Sequence, residues 1–115
     1  MDRAIFYSGA FKSTPEFNDE TCKRVLEHLR IEEGWLVAKT LGGWPFTWNQ
    51  LAQDRQVVAI ILVDIDESET EEILSQTAPV GINVYELSHG NLFWFRDHQI
   101  PRIPIMEVFA MLQVV

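Results

Sequence analysis

The chain has 115 residues, a net charge of −8 and a pI of about 4.7, with 47% apolar and 23% charged residues. Those figures fit one globular domain, 1–115, able to bury a core without a metal or disulfide staple. They oppose nucleic acid and anionic membranes as partners: the nine Lys and Arg are scattered, and no apolar run approaches the ~18 residues of a membrane span.

Met1-Asp2-Arg3-Ala4-Ile5-Phe6 enters directly into a strand-like run, without the features of a signal peptide, so a cytoplasmic location is expected. Residues 3–9 read as a first strand ending at Gly9. Ser13, Thr14 and Pro15 mark a loop. Asn18 or Asp19 then caps a helix over about 19–33, in which Cys22, Val25, Leu26 and Leu29 recur at helical spacing and Gly34 is the stop signal. Cys22 is the single cysteine and reads as a small buried apolar residue rather than a reactive thiol.

Trp35 to Leu41 reads as a second strand broken by Gly42-Gly43, followed by the aromatic loop Trp44-Pro45-Phe46. Thr47 and Gln50 make a capping-box pattern for a short helix at about 48–54. The apolar run of a third strand, about 56–64, lacks alternation and predicts a central strand covered on both faces. Asp66 or Ser68 caps a helix over about 68–77, with Ser68 and Glu71 in capping-box spacing. Ile82 to Leu87 reads as a fourth strand, so 56–87 has the size of a βαβ unit. Ser88-His89-Gly90-Asn91 is a turn, and Leu92 to Phe95 the return arm of a hairpin. Pro104 suits the first turn of a closing helix through Ile105, Met106, Val108, Phe109 and Leu112.

The expected fold is α/β, with α+β as the alternative. It is a single-layer mixed sheet of about five strands with three to four helices, ending in a hairpin and a helix.

Three groups of residues invite chemistry. Asp64 and Asp66 stand where the buried strand ends, the usual ligand position in open α/β sheets. With Glu86 on the neighbouring strand they offer hard oxygen ligands suited to Mg²⁺ or Mn²⁺. The Asp-x-Asp resembles that of Toprim-type and haloacid-dehalogenase-type metal sites. However, the first strand ends in Ser8-Gly9 where a Toprim domain has glutamate-glycine, and position 68 is Ser where a dehalogenase has Thr, so no family follows. The same acidic residues also suit the positive end of a helix with no ligand present. His28, His89 and His98 lie far apart and lack metal-ligand spacing, so no catalytic residue is assigned.

The third group is aromatic: Trp44, Phe46, Trp48, Phe93 and Phe95 are candidate anchors for a protein partner. The chain is therefore expected to be a small acidic protein-binding module of inhibitor, immunity or regulatory type rather than an enzyme. Its partner would be another protein, a basic one by charge, and no cofactor is expected. One alternative is a phosphoesterase or nuclease-like domain using Mg²⁺ or Mn²⁺ on Asp64 and Asp66. Another is a structural homodimer formed through the Leu92–Phe95 arm or the closing helix.

Overall fold

Seven successive apolar residues, Val57–Val63, have no polar face to offer water, and they form an interior strand of a six-stranded sheet. The computed structural model describes residues 1–9, 18–39, 46–53 and 56–108. Among these the strands are β1 (Arg3–Ser8), β2 (Glu33–Ala38), β3 (Val57–Val63), β4 (Asn83–Ser88), β5 (Asn91–Trp94) and β6 (Ile103–Glu107). Helices α1 (Asp19–Leu29) and α3 (Glu67–Thr77) have eleven residues each, and α2 (Trp48–Gln53) is a six-residue turn of helix. The strand order is β2-β1-β3-β4-β5-β6. The first four strands run parallel, and β5 and β6 are antiparallel to their neighbours.

The chain moves one way from β1 to β2 and the other way to β3 and β4. Crossovers of one hand then put α1 on one face and α2 and α3 on the other. The core is accordingly double. Tyr7, Ile60 and Leu62 pack with Leu51 of α2 and Ile73 and Leu74 of α3. Phe6, Ala59, Ile61 and Val63 pack with Val25, Cys22 and Leu26 of α1. Each fully buried Val, Ile or Leu of β3 contributes about 1.5–3 kcal/mol by leaving water.

The helix ends follow local chemistry. Asn18 caps α1 by accepting from Thr21 N–H at 3.0 Å. Arg30, at φ 57°, ends the helix in the left-handed conformation, with its N–H on Glu27 O. The helix thus stops four residues before the expected end, because Ile31 N–H already returns to Leu26 O and leaves Gly34 to β2. There Gly34 lets α1 approach closely: a Cβ would stand 3.0 Å from Leu26 Cδ1 of α1, and 2.7 Å from Phe6 Cε2 of β1. Thr47 and Gln50 form the expected reciprocal capping box, with bonds of 2.9 and 3.3 Å. In the β4–β5 hairpin, His89 and Gly90 both have positive φ, as a type I′ turn requires.

The α/β class and mixed sheet match the expectation, but the counts do not. Among the described residues there are six strands rather than about five, and two full helices with the short α2 rather than three to four. The correction lies at the C-terminal end, where Ile103–Glu107 is a strand and not the start of a closing helix. The open side of β5 offers unpaired backbone groups to Ile103-Pro104-Ile105, and Pro104 is tolerated because β6 is an edge strand. The remainder of that expected helix, the loop before α1 and the Gly42-Gly43 break lie outside the described residues.

Where β1 and β3 end together, Gly9 N–H donates to Val63 O at 2.9 Å. A Cβ on Gly9 would overlap the Asp64 carbonyl oxygen. Gly9→Ala is expected to destabilise the protein by about 1–3 kcal/mol, the range of core overpacking, because the obstacle is backbone that cannot rotate away. Urea unfolding of the two proteins measures this, and equal midpoints would contradict the close approach.

Candidate functional site

In this topology the chain leaves β1 toward one face and β3 toward the other, so the carboxyl ends of these adjacent strands are the point where a doubly wound sheet opens a crevice. Asp64 follows β3 directly, exposed and at φ 57°. An Asp tolerates this left-handed conformation better than most residues, and here it turns the chain out of the sheet toward α3.

Asp66 is the N-cap of α3. Its Oδ1 accepts from Glu69 N–H at 2.8 Å, and its carbonyl accepts from Thr70 Oγ1 at 2.8 Å. The helix therefore begins one residue before the expected position, and Asp66, not Ser68, does the capping. Glu86 lies within β4, half-buried, with Arg102 Nη2 3.3 Å from its Oε1. Among the described residues, no three His, Cys, Asp or Glu side chains gather in a way that could hold a metal ion. Asp64, Asp66 and Glu86 thus have separate structural surroundings rather than a common centre.

A different set of residues meets at this end of the sheet. Tyr7, fully buried on β1, donates its hydroxyl proton to Glu69 Oε1 of α3 at 3.1 Å. Lys39, just past β2, places Nζ 3.1 Å from Glu69 Oε2. That oxygen is itself inaccessible and lies outside hydrogen-bond geometry, so the lysine acts on it as a nearby charge. Lys39 is held there by its backbone N–H, which donates to Ser8 O at 2.7 Å. Three elements are thus pinned by one carboxylate. A tyrosine within an apolar strand signals that its hydroxyl needs a partner, but which acidic residue supplies it depends on how α3 lies on the sheet.

Burial first, then the negative charge of Glu69, push the Tyr7 phenol well above its ordinary range. Burial alone raises that of Tyr85. Burial also raises the Glu86 carboxyl, and the opposing pulls of Arg102 and His89 are weaker. The Cys22 thiol is pushed up to about 11, by burial and then by Asp19, which keeps it protonated and unreactive at neutral pH. The Glu33 carboxyl is lowered by hydrogen bonds from Trp35 Nε1 and Arg3 Nε.

The histidines remain apart. His28 is exposed on α1. His89 lies on the hairpin turn, with Nδ1 2.9 Å from Ser88 Oγ. His98 Nε2 donates to Ile82 O at 2.7 Å, before the amino end of β4.

The aromatic anchors divide by environment. Phe95 is only 3% exposed and belongs to the core, so it is no surface anchor; at the end of β5 its ring turns into the cluster shared with Ile82 and Val84. Phe46 is half-buried against the same cluster. Phe93 is half-buried, with the Arg102 guanidinium 4.3 Å above its ring. Trp44 and the Trp48 side chain lie outside the described residues. Comparison with known proteins returns no match: no family model fits the chain, and no curated protein or solved structure is similar to it.

The chain has two tyrosines, and both phenols are raised. The unfolded chain releases these protons near pH ~10 while the folded chain keeps them, so stability must fall as pH rises above that value. In a titration of phenolate absorbance, ionisation of Tyr7 is expected only together with alkaline unfolding; both tyrosines titrating near pH ~10 in the folded protein would contradict this burial.

With Asp66 engaged as a cap and Glu86 beside Arg102, millimolar Mn²⁺ or Mg²⁺ is expected to leave the melting temperature unchanged. A rise that disappears in Asp64→Asn would instead establish a metal site, since a ligand of the folded state stabilises by mass action.

Proposed function

We propose that this chain is a protein-binding module that presents the acidic face of α3 to a basic partner. One observation carries the reading. Asp64, Asp66, Glu67, Glu71 and Glu72 are all exposed along the end of β3 and the outer side of α3. None of them takes part in the described ion pairs, which use Glu20, Glu33, Glu69 and Glu86. Unneutralised carboxylates on one helix repel one another and cost stability. A partner rich in Lys and Arg would relieve that repulsion and be steered to it at low ionic strength. The net charge of −8 favours the same class of partner.

Phe93 under Arg102 and half-buried Phe46 contribute apolar area at most at the margins of such a contact. The metal-dependent reading keeps exposed Asp64, which among the described residues has no side-chain ion pair.

Zero-length carbodiimide cross-linking in an extract of the source cells joins contacting carboxylates to partner lysines. The expected product is a discrete adduct mapped to Glu67, Glu71 or Glu72, lost at high salt and lost in Glu67→Gln/Glu71→Gln/Glu72→Gln. An adduct that forms equally well with the triple variant would overturn the assignment of this face.

A further inference from the structure

We propose that the outer edge of β2 pairs antiparallel with the same strand of a second copy of this chain, across a two-fold axis at Leu36, making one continuous sheet. The proposal stands on β2 and is independent of the role given to α3.

The two edges of the sheet are protected unequally. Edge strand β6 carries Pro104, which has no N–H to offer a neighbour. The other edge, β2, runs Glu33-Gly34-Trp35-Leu36-Val37-Ala38, with no proline and no charge after Glu33. Among the described residues nothing pairs with its outer side. Leu36, at its centre, is 65% exposed, the most exposed apolar side chain in the interior of any described strand. It forms one wall of a small hollow of about 120 Å³ that is also lined by Phe6, Cys22, Leu26 and Gly34 and, on its polar part, by Asn18 and Asp19, so a second leucine arriving there meets apolar side chains over part of the wall.

The register follows from the backbone. Glu33 N–H donates to Asp2 O at 3.3 Å, and Lys39 N–H to Ser8 O at 2.7 Å. The odd-numbered residues therefore turn their N–H and C=O groups toward β1, and Gly34, Leu36 and Ala38 turn theirs outward. Antiparallel self-pairing must match these outward residues with each other. Centred on Leu36, it pairs Leu36 with Leu36 and Gly34 with Ala38, exchanging about six hydrogen bonds. The non-hydrogen-bonded positions then set Trp35 against Val37, an aromatic facing a β-branched residue. At both ends Glu33 comes opposite Lys39, joining the Arg3–Glu33 and Lys39–Glu69 pairs across the junction. Centred on Trp35 instead, the ladder is shorter and Glu33 faces Val37. Complementary charge at both ends thus favours a second copy, in this register, over an unrelated strand.

The test is sedimentation velocity at about 100 µM, where a micromolar dissociation constant leaves the chain mostly dimeric. The parent is expected to be a dimer. Leu36→Lys, at a position exposed in the single chain, is expected to be a monomer that still unfolds cooperatively, with a melting temperature equal to that of the parent diluted below dimer formation. A cross-link fixes the register: residues at a hydrogen-bonded pair lie about 5.5 Å apart at Cα, within disulfide reach. In a Cys22→Ala background, which removes the thiol nearest Leu36, Leu36→Cys should oxidise to a covalent dimer, whereas exposed Ser75→Cys should not. A monomeric parent overturns the proposal. So does a dimer that persists in Leu36→Lys, or cross-linking at position 36 no greater than at 75.

Discussion

The burial of β3 on both faces is the constraint from which the rest of this structure follows. A strand with no polar side must have parallel neighbours on each edge and helices over each surface. β1 and β4 supply the edges, with Ile60 and Ile61 beside Ile5 and Phe6 on one side and Val84 and Tyr85 on the other. α1 and α3 supply the surfaces, so the two halves of the core touch only through the sheet. Removing either helix would expose one row of this strand to water, which is why the strand and both helices form one cooperative unit.

The same arrangement decides where polar chemistry is permitted. At the carboxyl ends of β1, β2 and β3 one carboxylate, Glu69, is enclosed between Tyr7 and Lys39. A hydroxyl donor and a cation together make that burial tolerable: Lys39 offsets the charge, and Tyr7 supplies a hydrogen bond to the other oxygen. The exposed carboxylates of α3 lie one helical face away and, among the described residues, have no cation beside them. A single acidic segment is thus divided by its rotation about the helix axis into a structural residue and a charged surface.

On the far half of the sheet no helix among the described residues packs over β5 and β6 on the α3 side. The segment before β6 substitutes for one: Arg102 lies over Phe93 and reaches Glu86. The Glu86 carboxyl remains raised despite the arginine, because burial of the carboxylate outweighs the arginine's pull on its proton.

Residue pattern alone determined the buried strand at 57–63, the βαβ unit that follows it, the hairpin at His89-Gly90 and the capping box at Thr47, because each is governed by neighbours in sequence. Apolar periodicity and turn geometry need no knowledge of the rest of the chain. Where two local signals competed, the tertiary structure chose. Gly34 reads as a helix stop, yet it serves as the point where α1 approaches β2. Pro104 reads as a helix start, yet the open edge of β5 drew Ile103–Glu107 into a strand. The candidate site was the least legible part. Asp64, Asp66 and Glu86 are visible as carboxylates near strand ends, but their surroundings are fixed by a helix cap and by an arginine sixteen residues from Glu86. Tyr7, Lys39 and Glu69 come from three separate segments, and nothing in their spacing announces that they meet. Side chains joined through space by the packing of α3 on β1 and β2 leave no local pattern, because only the assembled sheet brings them within hydrogen-bond and ion-pair distance.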